Sequence, residues 1–305
     1  MDAAFWIILT GTLAGASCAL VGSFLVLRKM SMLGDAISHA VLPGIVIAFL
    51  MTGSRSSIPM LLGAALFGLL TAFIVETLHR KGKLQQDASI GVTFTWLFAI
   101  GVILISRYTG MVDLDQDCVL YGEIAYVTLD TVAVWGVQVP SAILTLGGLF
   151  IVNLLFVGVS FKELKITAFD PSLALSLGIS ATLWHYVLMG MVSMTTVATF
   201  WSVGAILVVA MLIAPGATAW LLTDRLRSML LYSLLLSLAS AIGGYYLAVA
   251  LDGSIAGAMA VVSGILFALA LFFSPTHGIL VRRIRLRRVV EREAKIKGGD
   301  AALQS

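Results

Sequence analysis

Asp35 and His39 are the residues of this chain whose types and spacing best suit chemistry. They lie four residues apart in the apolar segment Gly34–Gly44. In a helix, residues four apart share one face and lie one turn from each other, so a carboxylate and an imidazole can share one cation. Ionisable groups inside an apolar span are costly and usually serve a pathway or a relay. The pair therefore predicts a cation site on one helix face.

Two plainer interpretations of the pair stay open at this point. Asp35 follows Gly34 and can act as a helix N-cap, and His39 can be a hydrogen-bonded packing residue. Pro43 favours the site, because a proline has no N–H and leaves the carbonyl of His39 without its helical partner. That carbonyl either helps to bind a cation or marks a kink beside the pathway.

Oxygen and imidazole donors without a thiolate suit manganese, iron or zinc. One aspartate and one histidine cannot complete a coordination shell, and the sequence has no internal repeat that supplies a second pair. A dimer would bring two carboxylates and two imidazoles to a shared axis.

The other ionisable residues near the apolar segments are weaker candidates. His79 precedes a run of basic residues and is typical of a solvated helix end, while His185 and His277 lie near the ends of apolar segments. Glu76 lies near the end of an apolar segment, where we expect its carboxylate to reach the membrane interface.

The composition requires a membrane to hold these residues. Of 305 residues, 60% are apolar and 11% are charged, and the mean hydropathy is +1.04. A soluble domain carries about 25% charged residues, so a soluble fold is excluded. Cys18 and Cys118 predict no disulfide, and the first residues lack the positive charge of a cleavable signal peptide.

Windows of apolar residues predict about nine spans, with eight possible. The stretch from Ala181 to Leu222 is nearly continuous and can instead hold one span and a half-helix. The predicted spans are Phe5–Leu27, Leu33–Met51, Ile58–Leu78, Ser89–Ser106, Thr131–Gly158, Ala181–Ala198, Ser202–Leu222, Leu230–Leu251 and Ile255–Phe273.

Basic residues predict the orientation. With the amino terminus outside, seventeen of the nineteen lysines and arginines face the cytoplasm, and only Arg55 and Arg107 lie outside. We therefore expect a transmembrane permease domain over 1–280 and a basic cytoplasmic tail over 281–305. Beside a span, such a tail indicates contact with anionic lipid headgroups rather than with nucleic acid.

The predicted external loop Arg107–Asp130 is acidic. Its five carboxylates predict either a vestibule that concentrates cations or an ordinary solvated loop. They belong to Asp113, Asp115, Asp117, Glu123 and Asp130.

Two predicted cytoplasmic segments have helix signals. In Phe169–Gly178, Asp170 fits an N-cap, Pro171 the first helical position and Gly178 the stop. In Ala214–Ser228, a span is predicted to end at Pro-Gly and to resume as a short helix with a charged end, which can dock on a soluble partner. No Gly-rich loop ending in Gly-Lys-Ser/Thr occurs, so this chain has no P-loop.

Four phrases of the sequence resemble the membrane permease of ATP-binding-cassette importers for manganese, zinc and iron. The likeness covers nearly the whole chain. The phrase DLDQDCVLYG lies within the acidic loop and looks most like the manganese-type members. The phrases are GDAISHAVLPG at 34–44, FDP at 169–171, DLDQDCVLYG at 113–122 and VGAILVVAMLIAP at 203–215.

This resemblance implies an all-α, polytopic transmembrane bundle of the type II-like importer class in a bacterial inner membrane. It implies Asp35 and His39 as metal ligands and a half-helix around Thr199–Gly204. It places ATPase coupling at Pro215, Asp224, Arg225 and Arg227.

The implied partners are a second permease subunit, two cytoplasmic ATP-binding subunits and an external metal-binding protein. The cargo would be Mn²⁺, or Zn²⁺ or Fe²⁺, with no permanently bound cofactor and no enzymatic activity in this chain. A proton-coupled carrier that uses the Asp35–His39 pair without an ATPase is the alternative. An intramembrane metalloenzyme is less favoured, because such sites usually need three protein ligands and a general base.

Overall fold

The computed structural model describes residues 3–52, 57–108, 124–134, 137–276 and 278–279. Within these ranges nine segments are long and apolar enough to span a membrane, which confirms the polytopic bundle and favours nine spans over eight. The helices are α1 (Ala3–Leu27), α2 (Met32–Ala40), α3 (Leu42–Thr52), α4 (Ser57–Arg80), α5 (Gln86–Tyr108), α6 (Ser141–Val159), α7 (Phe161–Phe169), α8 (Pro171–Ser176), α9 (Ala181–Val203), α10 (Ala205–Leu222), α11 (Leu226–Leu251) and α12 (Ile255–Phe273).

Helix α1 lies at the centre of the bundle and contacts α6, α9, α10 and α11. Its middle, Ala14–Ala19, consists of small residues that are all buried. Helices in lipid associate by close packing, so small residues at their interfaces let backbones approach. At Gly22 the backbone of α1 meets the carbonyl of Leu212 on α10, and no space is left for a Cβ.

Helices α2 and α3 together form one span with a break. The two helices are separated at Val41, and Pro43 lies in the first turn of α3. The missing N–H of Pro43 explains the break, because it removes the helical bond that would cross this point. The predicted kink is confirmed.

A half-helix around Thr199–Gly204 is not formed. Residues 199–203 are instead the last turn of α9, and α10 begins directly after Gly204. Gly204 has φ 84° and ψ 165°, a conformation that a side chain would strain, and this residue turns the chain from one helix into the next.

The predicted helix end at Pro215 is also wrong. Pro215 is buried inside α10, which continues to Leu222, and α11 already begins at Leu226. In an apolar environment, ending a helix leaves several backbone groups without partners, whereas an internal proline removes one hydrogen bond. Continuing the helix therefore costs less.

The predicted span Thr131–Gly158 contains a β-hairpin as well as a helix. Strands β1 (Thr131–Val134) and β2 (Val137–Pro140) pair antiparallel, with Val132 opposite Val139. The alternating valines favour strand, and α6 begins only at Ser141. The hairpin is the one departure from helix and short turns among the described elements.

The short helix α8 follows its sequence signals. The backbone N–H of Leu173 donates to Oδ1 of Asp170 at 2.9 Å, Pro171 opens the helix, and Gly178 has φ 76°. The predicted N-cap and stop are confirmed.

We call one end of the bundle the basic end, because it holds the links after α1, α4, α6 and α10 with Arg28, Arg80, Lys162 and Arg225. Side-chain contacts join these links: Arg28 reaches Thr167 of α7, and the guanidinium of Arg227 lies 5.6 Å from the ring centre of Phe161. The basic tail over 281–305 lies outside the described residues.

Candidate metal site

Helix α2 brings Asp35 and His39 together as the spacing predicts. Nε2 of His39 lies 3.6 Å from Oδ1 of Asp35, and the two side chains are 41% and 40% exposed. The opposite face of α2 is buried through Leu33, Ile37 and Ala40. The helix is thus anchored by one face and presents an oxygen and a nitrogen donor on the other.

The plainer interpretation of Asp35 as an N-cap does not fit the geometry. Helix α2 begins at Met32, so Asp35 lies within its first turn and Ser31 occupies the cap position. Its carboxylate contacts His39 on the same face of α2, one turn further along. A carboxylate in this place is available to a cation.

Two phenylalanines of α5 hold the imidazole of His39. The ring centre of His39 lies 5.9 Å from that of Phe98, nearly edge-on at 81°, and 6.1 Å from that of Phe94. Aromatic pairs prefer such edge-on arrangements. Residues of α5 were not singled out in the sequence, because a phenylalanine in a span is ordinary and only the packing of α2 against α5 gives it this role.

The pair by itself is an incomplete coordination shell. Over the part of the chain that the structure describes, no three His, Cys, Asp or Glu side chains come together as a possible metal site. Two donors on a half-exposed helix face therefore make up only part of a coordination shell.

His185 and Glu76 form a second ionisable cluster, which sequence reasoning missed. Glu76 is 6% exposed and His185 is 7% exposed, and Nε2 of His185 lies 3.2 Å from Oε2 of Glu76. The expectation that Glu76 reaches the interface is therefore wrong. The sequence did show that both are ionisable residues inside or beside predicted spans. Nothing in the residues next to them indicated that the two side chains meet.

His79 behaves as the sequence predicts. Its Nδ1 lies 2.9 Å from the carbonyl oxygen of Leu84 at the exposed end of α4. His277 lies outside the described residues.

The residues predicted to couple to an ATPase do not lie together. Pro215 is buried within α10, whereas Asp224 and Arg225 lie exposed in the link between α10 and α11 at the basic end. Arg227, at the start of α11, packs on Phe161 of α7. Pro215 is therefore buried, whereas the other three residues lie at the surface of the basic end.

The acidic loop is described only in part. Asp113, Asp115, Asp117 and Glu123 lie outside the described residues, and Asp130 is exposed just before β1. The backbone N–H of Ser141 donates to the carbonyl of Asp130 at 3.0 Å, which closes the base of the hairpin.

Comparisons with known proteins agree on one family. The model of the ABC 3 transport family matches residues 1–274. The manganese transport system membrane protein MntD of Bacillus subtilis is 56% identical over 92% of this chain and 95% of its own length. The zinc transport system membrane protein TroD of Treponema pallidum is 44% identical over 92% of this chain and 77% of its own length.

A solved structure is similar over nearly the full length. It is that of PsaBC from Streptococcus pneumoniae in complex with Fab, with a TM-score of 0.76 and 31% sequence identity. The match covers 94% of this chain and 96% of the other.

Proposed function

The chain belongs to the ABC 3 transport family, and from this membership we propose that it is the permease subunit of an ATP-driven importer for a divalent transition metal. The observation that carries the proposal is the Asp35–His39 pair on the exposed face of α2, inside a membrane-spanning segment. An exposed carboxylate and imidazole within a span are costly without a cationic partner. A transported metal is that partner.

We propose Mn²⁺ as the cargo. Carboxylate and imidazole donors without a thiolate suit manganese, iron and zinc. A protein named for manganese transport is 56% identical to this chain, and one named for zinc transport is 44% identical. The higher identity supports Mn²⁺ over Zn²⁺, and neither name supports Fe²⁺. The chemistry of the two donors is the same for all three metals.

A second permease subunit would complete the metal site. Two donors from one chain are too few, and a two-fold axis beside the open face of α2 would add a second carboxylate and a second imidazole. The half-exposed state of Asp35 and His39 supports this arrangement, because the partner's helix needs access to them.

We place the cytoplasm at the basic end of the bundle. Of the described lysines and arginines, all but Arg107 lie in or beside its links, as the distribution of positive charge in membrane proteins requires. The opposite end, with the hairpin and the acidic loop, would then receive the metal from an external binding protein.

Two ATP-binding subunits would dock at the basic end. Helix α8 and its flanks expose Leu173 (49%), Leu175 (68%) and Leu177 (59%), and the link with Asp224 and Arg225 lies at the same end. Apolar side chains beside charged ones suit a groove on a soluble partner. This proposed docking surface includes Asp224 and Arg225 of the predicted coupling residues, whereas Pro215 is buried within α10.

In this mechanism the metal passes from the end opposite the basic end to Asp35 and His39. ATP-driven movement of the basic end then changes which side of the pair is open. The pair binds the metal, and the phenylalanines of α5 orient the imidazole. Hydrolysis takes place on the partner subunits.

Uptake of radioactive Mn²⁺ by cells that carry the full importer tests this function. We expect loss of uptake in Asp35→Asn and His39→Ala at equal expression, and normal uptake in the controls Asp252→Asn and His79→Ala, which change the same residue types at exposed positions. Normal uptake in both site variants would contradict the metal site. Uptake that persists without the ATP-binding subunit would instead indicate a proton-coupled carrier.

A further inference from the structure

A buried charge cluster at the basic end joins four elements of the fold. Nη1 of Arg28, just after α1, lies 3.3 Å from Nδ1 of His185 on α9, and its Nη2 donates to Oγ1 of Thr167 on α7 at 2.9 Å. His185 faces Glu76 of α4 at 3.2 Å, and Glu76 also pairs with Arg80 one turn away. We call Arg28, Thr167, His185 and Glu76 the buried cluster.

The hydrogen bond between Arg28 and His185 has a defined direction. An arginine only donates hydrogen bonds, so Nδ1 of His185 must accept from Arg28. Nε2 of the same ring faces the carboxylate of Glu76 at 3.2 Å, which is ion-pair distance. The imidazole of His185 thus bridges a guanidinium and a carboxylate that belong to different elements of the fold.

This arrangement is not a second cation site. The guanidinium of Arg28 occupies one ring nitrogen of His185, and that of Arg80 pairs with the carboxylate of Glu76. Two positive charges beside one carboxylate repel a divalent cation. The role of the cluster therefore lies in the contacts between the protein's own helices and not in binding a metal.

Helices α4 and α9, which carry Glu76 and His185, also pack against α2. We call α2 the metal helix, because it carries Asp35 and His39. At Gly68 of α4, an added Cβ would meet Oγ of Ser193 on α9 and lie 3.3 Å from Cγ2 of Ile37 on α2. Ile37 lies between Asp35 and His39 in the sequence. The close approach of Gly68, Ser193 and Ile37 fixes the position of the metal helix against α4 and α9.

The cluster and this contact point share one register. Glu76 lies eight residues after Gly68, and His185 lies eight residues before Ser193, so the antiparallel helices α4 and α9 meet at both levels. Eight residues of helix correspond to about 12 Å. A shift of α4 against α9 at the cluster is therefore transmitted along two rigid helices to Ile37.

Thr167 connects the cluster to the surface of the basic end. Helix α7 carries Thr167 on its buried side and Phe161, under the guanidinium of Arg227, at its start. Helix α8 with its exposed leucines follows directly. Movement of the docking surface thus reaches Arg28 through α7 and the hydrogen bond from Arg28 to Thr167.

We propose that Arg28, His185 and Glu76 are positioning residues that couple the docking surface at the basic end to the metal helix α2. This inference rests on the proposed function. We expect that breaking the cluster leaves ATP hydrolysis and metal binding intact but uncouples hydrolysis from metal transport. The transporter then hydrolyses ATP without moving a proportionate amount of metal.

The test measures Mn²⁺ imported and ATP hydrolysed by the full importer in vesicles of phosphatidylethanolamine and phosphatidylglycerol. For Glu76→Gln we expect the ratio of Mn²⁺ to ATP to fall at least about fivefold, the lower range of coupling between linked sites. Equilibrium Mn²⁺ binding by the detergent-solubilised importer should stay within twofold of wild type. Asp87→Asn, which removes an exposed carboxylate at the same end, should leave the ratio unchanged.

A second variant covers the risk that Glu76→Gln does not assemble. Arg28→Lys keeps the positive charge but cannot reach both His185 and Thr167, because an ammonium lacks the forked donors of a guanidinium. We expect a smaller fall in the ratio. The inference alone would be overturned if either assembled variant kept the wild-type ratio of Mn²⁺ imported to ATP hydrolysed. Uptake and hydrolysis would then be unchanged or changed in the same proportion. Wild type without ATP-dependent uptake would overturn the proposed function as well.

Discussion

Oδ1 of Asp35 and Nε2 of His39 lie 3.6 Å apart on the exposed face of α2. The distance follows from their spacing of four residues, which places them one helical turn apart. A contact of this kind depends on which two groups are present more than on their order along the helix.

Exchange of the two ligands tests this relationship. In the double variant Asp35→His with His39→Asp, the same donors lie on the same face, so we expect Mn²⁺ uptake to recover in part. Each single exchange, Asp35→His or His39→Asp, leaves two like groups and should lose uptake. Radioactive Mn²⁺ uptake at matched expression measures all three. A double variant no better than the singles would show that each ligand needs its own place beside α5.

A buried polar contact between α6 and α9 is expected to stabilise the bundle. Nδ2 of Asn153 donates to Oγ1 of Thr195 at 2.9 Å and to the carbonyl of Ser17 on α1 at 3.2 Å. A hydrogen bond between helices in a membrane contributes about 0.6 kcal/mol and at most about 1.7 kcal/mol. In a double-mutant cycle of Asn153→Leu and Thr195→Val, we expect a coupling energy in this range, measured by unfolding in detergent. Additive effects would mean that the two side chains do not stabilise each other.

The contact of α1 with α10 should tolerate no added methyl group. At Gly22 a Cβ would overlap the backbone carbonyl of Leu212, which cannot move as a side chain does. We expect Gly22→Ala to lower the free energy of unfolding by about 1–3 kcal/mol or to prevent assembly. The control Gly148→Ala adds the same methyl where no atom lies within 4 Å. Equal melting temperatures for the two variants would contradict this contact.

Cys18 should report on the integrity of the bundle. Its side chain is fully buried in α1, with the thiol 3.8 Å from Oγ1 of Thr199. In a Cys118→Ser variant, Cys18 is the only cysteine left. We expect a thiol-reactive maleimide dye to label it only as the protein unfolds on heating. Rapid labelling of the folded protein would show that α1 is accessible.

The exposed leucines of the basic end should matter for assembly. Leu175 is 68% exposed. If the ATP-binding subunit covers it, Leu175→Glu buries a charge without a partner and should weaken co-purification of that subunit. Leu129→Glu makes the same change at a residue that is 78% exposed beside the hairpin and should leave co-purification intact. Equal recovery of the subunit with both variants would place the docking surface elsewhere.

The sequence by itself determined the membrane class, eight of the nine span positions to within a few residues, the kink at Pro43, the cap at Asp170 and the pairing of Asp35 with His39. Each of these depends on composition or on residues within one or two turns of each other, so the period of the helix is enough to predict them. The errors in helix bounds lay at Pro215, at Thr199–Gly204 and at the hairpin, where the cost of ending or continuing a helix depends on what surrounds it. The error at Glu76 was one of burial.

Only the tertiary structure decided that Glu76 and His185 meet, that Arg28 joins them, and that Phe98 holds the imidazole of His39. These contacts depend on the register between helices far apart in the chain. That register is set by close approaches such as Gly22 against Leu212 and Gly68 against Ser193, which depend on the fit of two surfaces. A hydrophobic pattern records that a helix is buried, but it does not record which neighbour lies beside it or at what height.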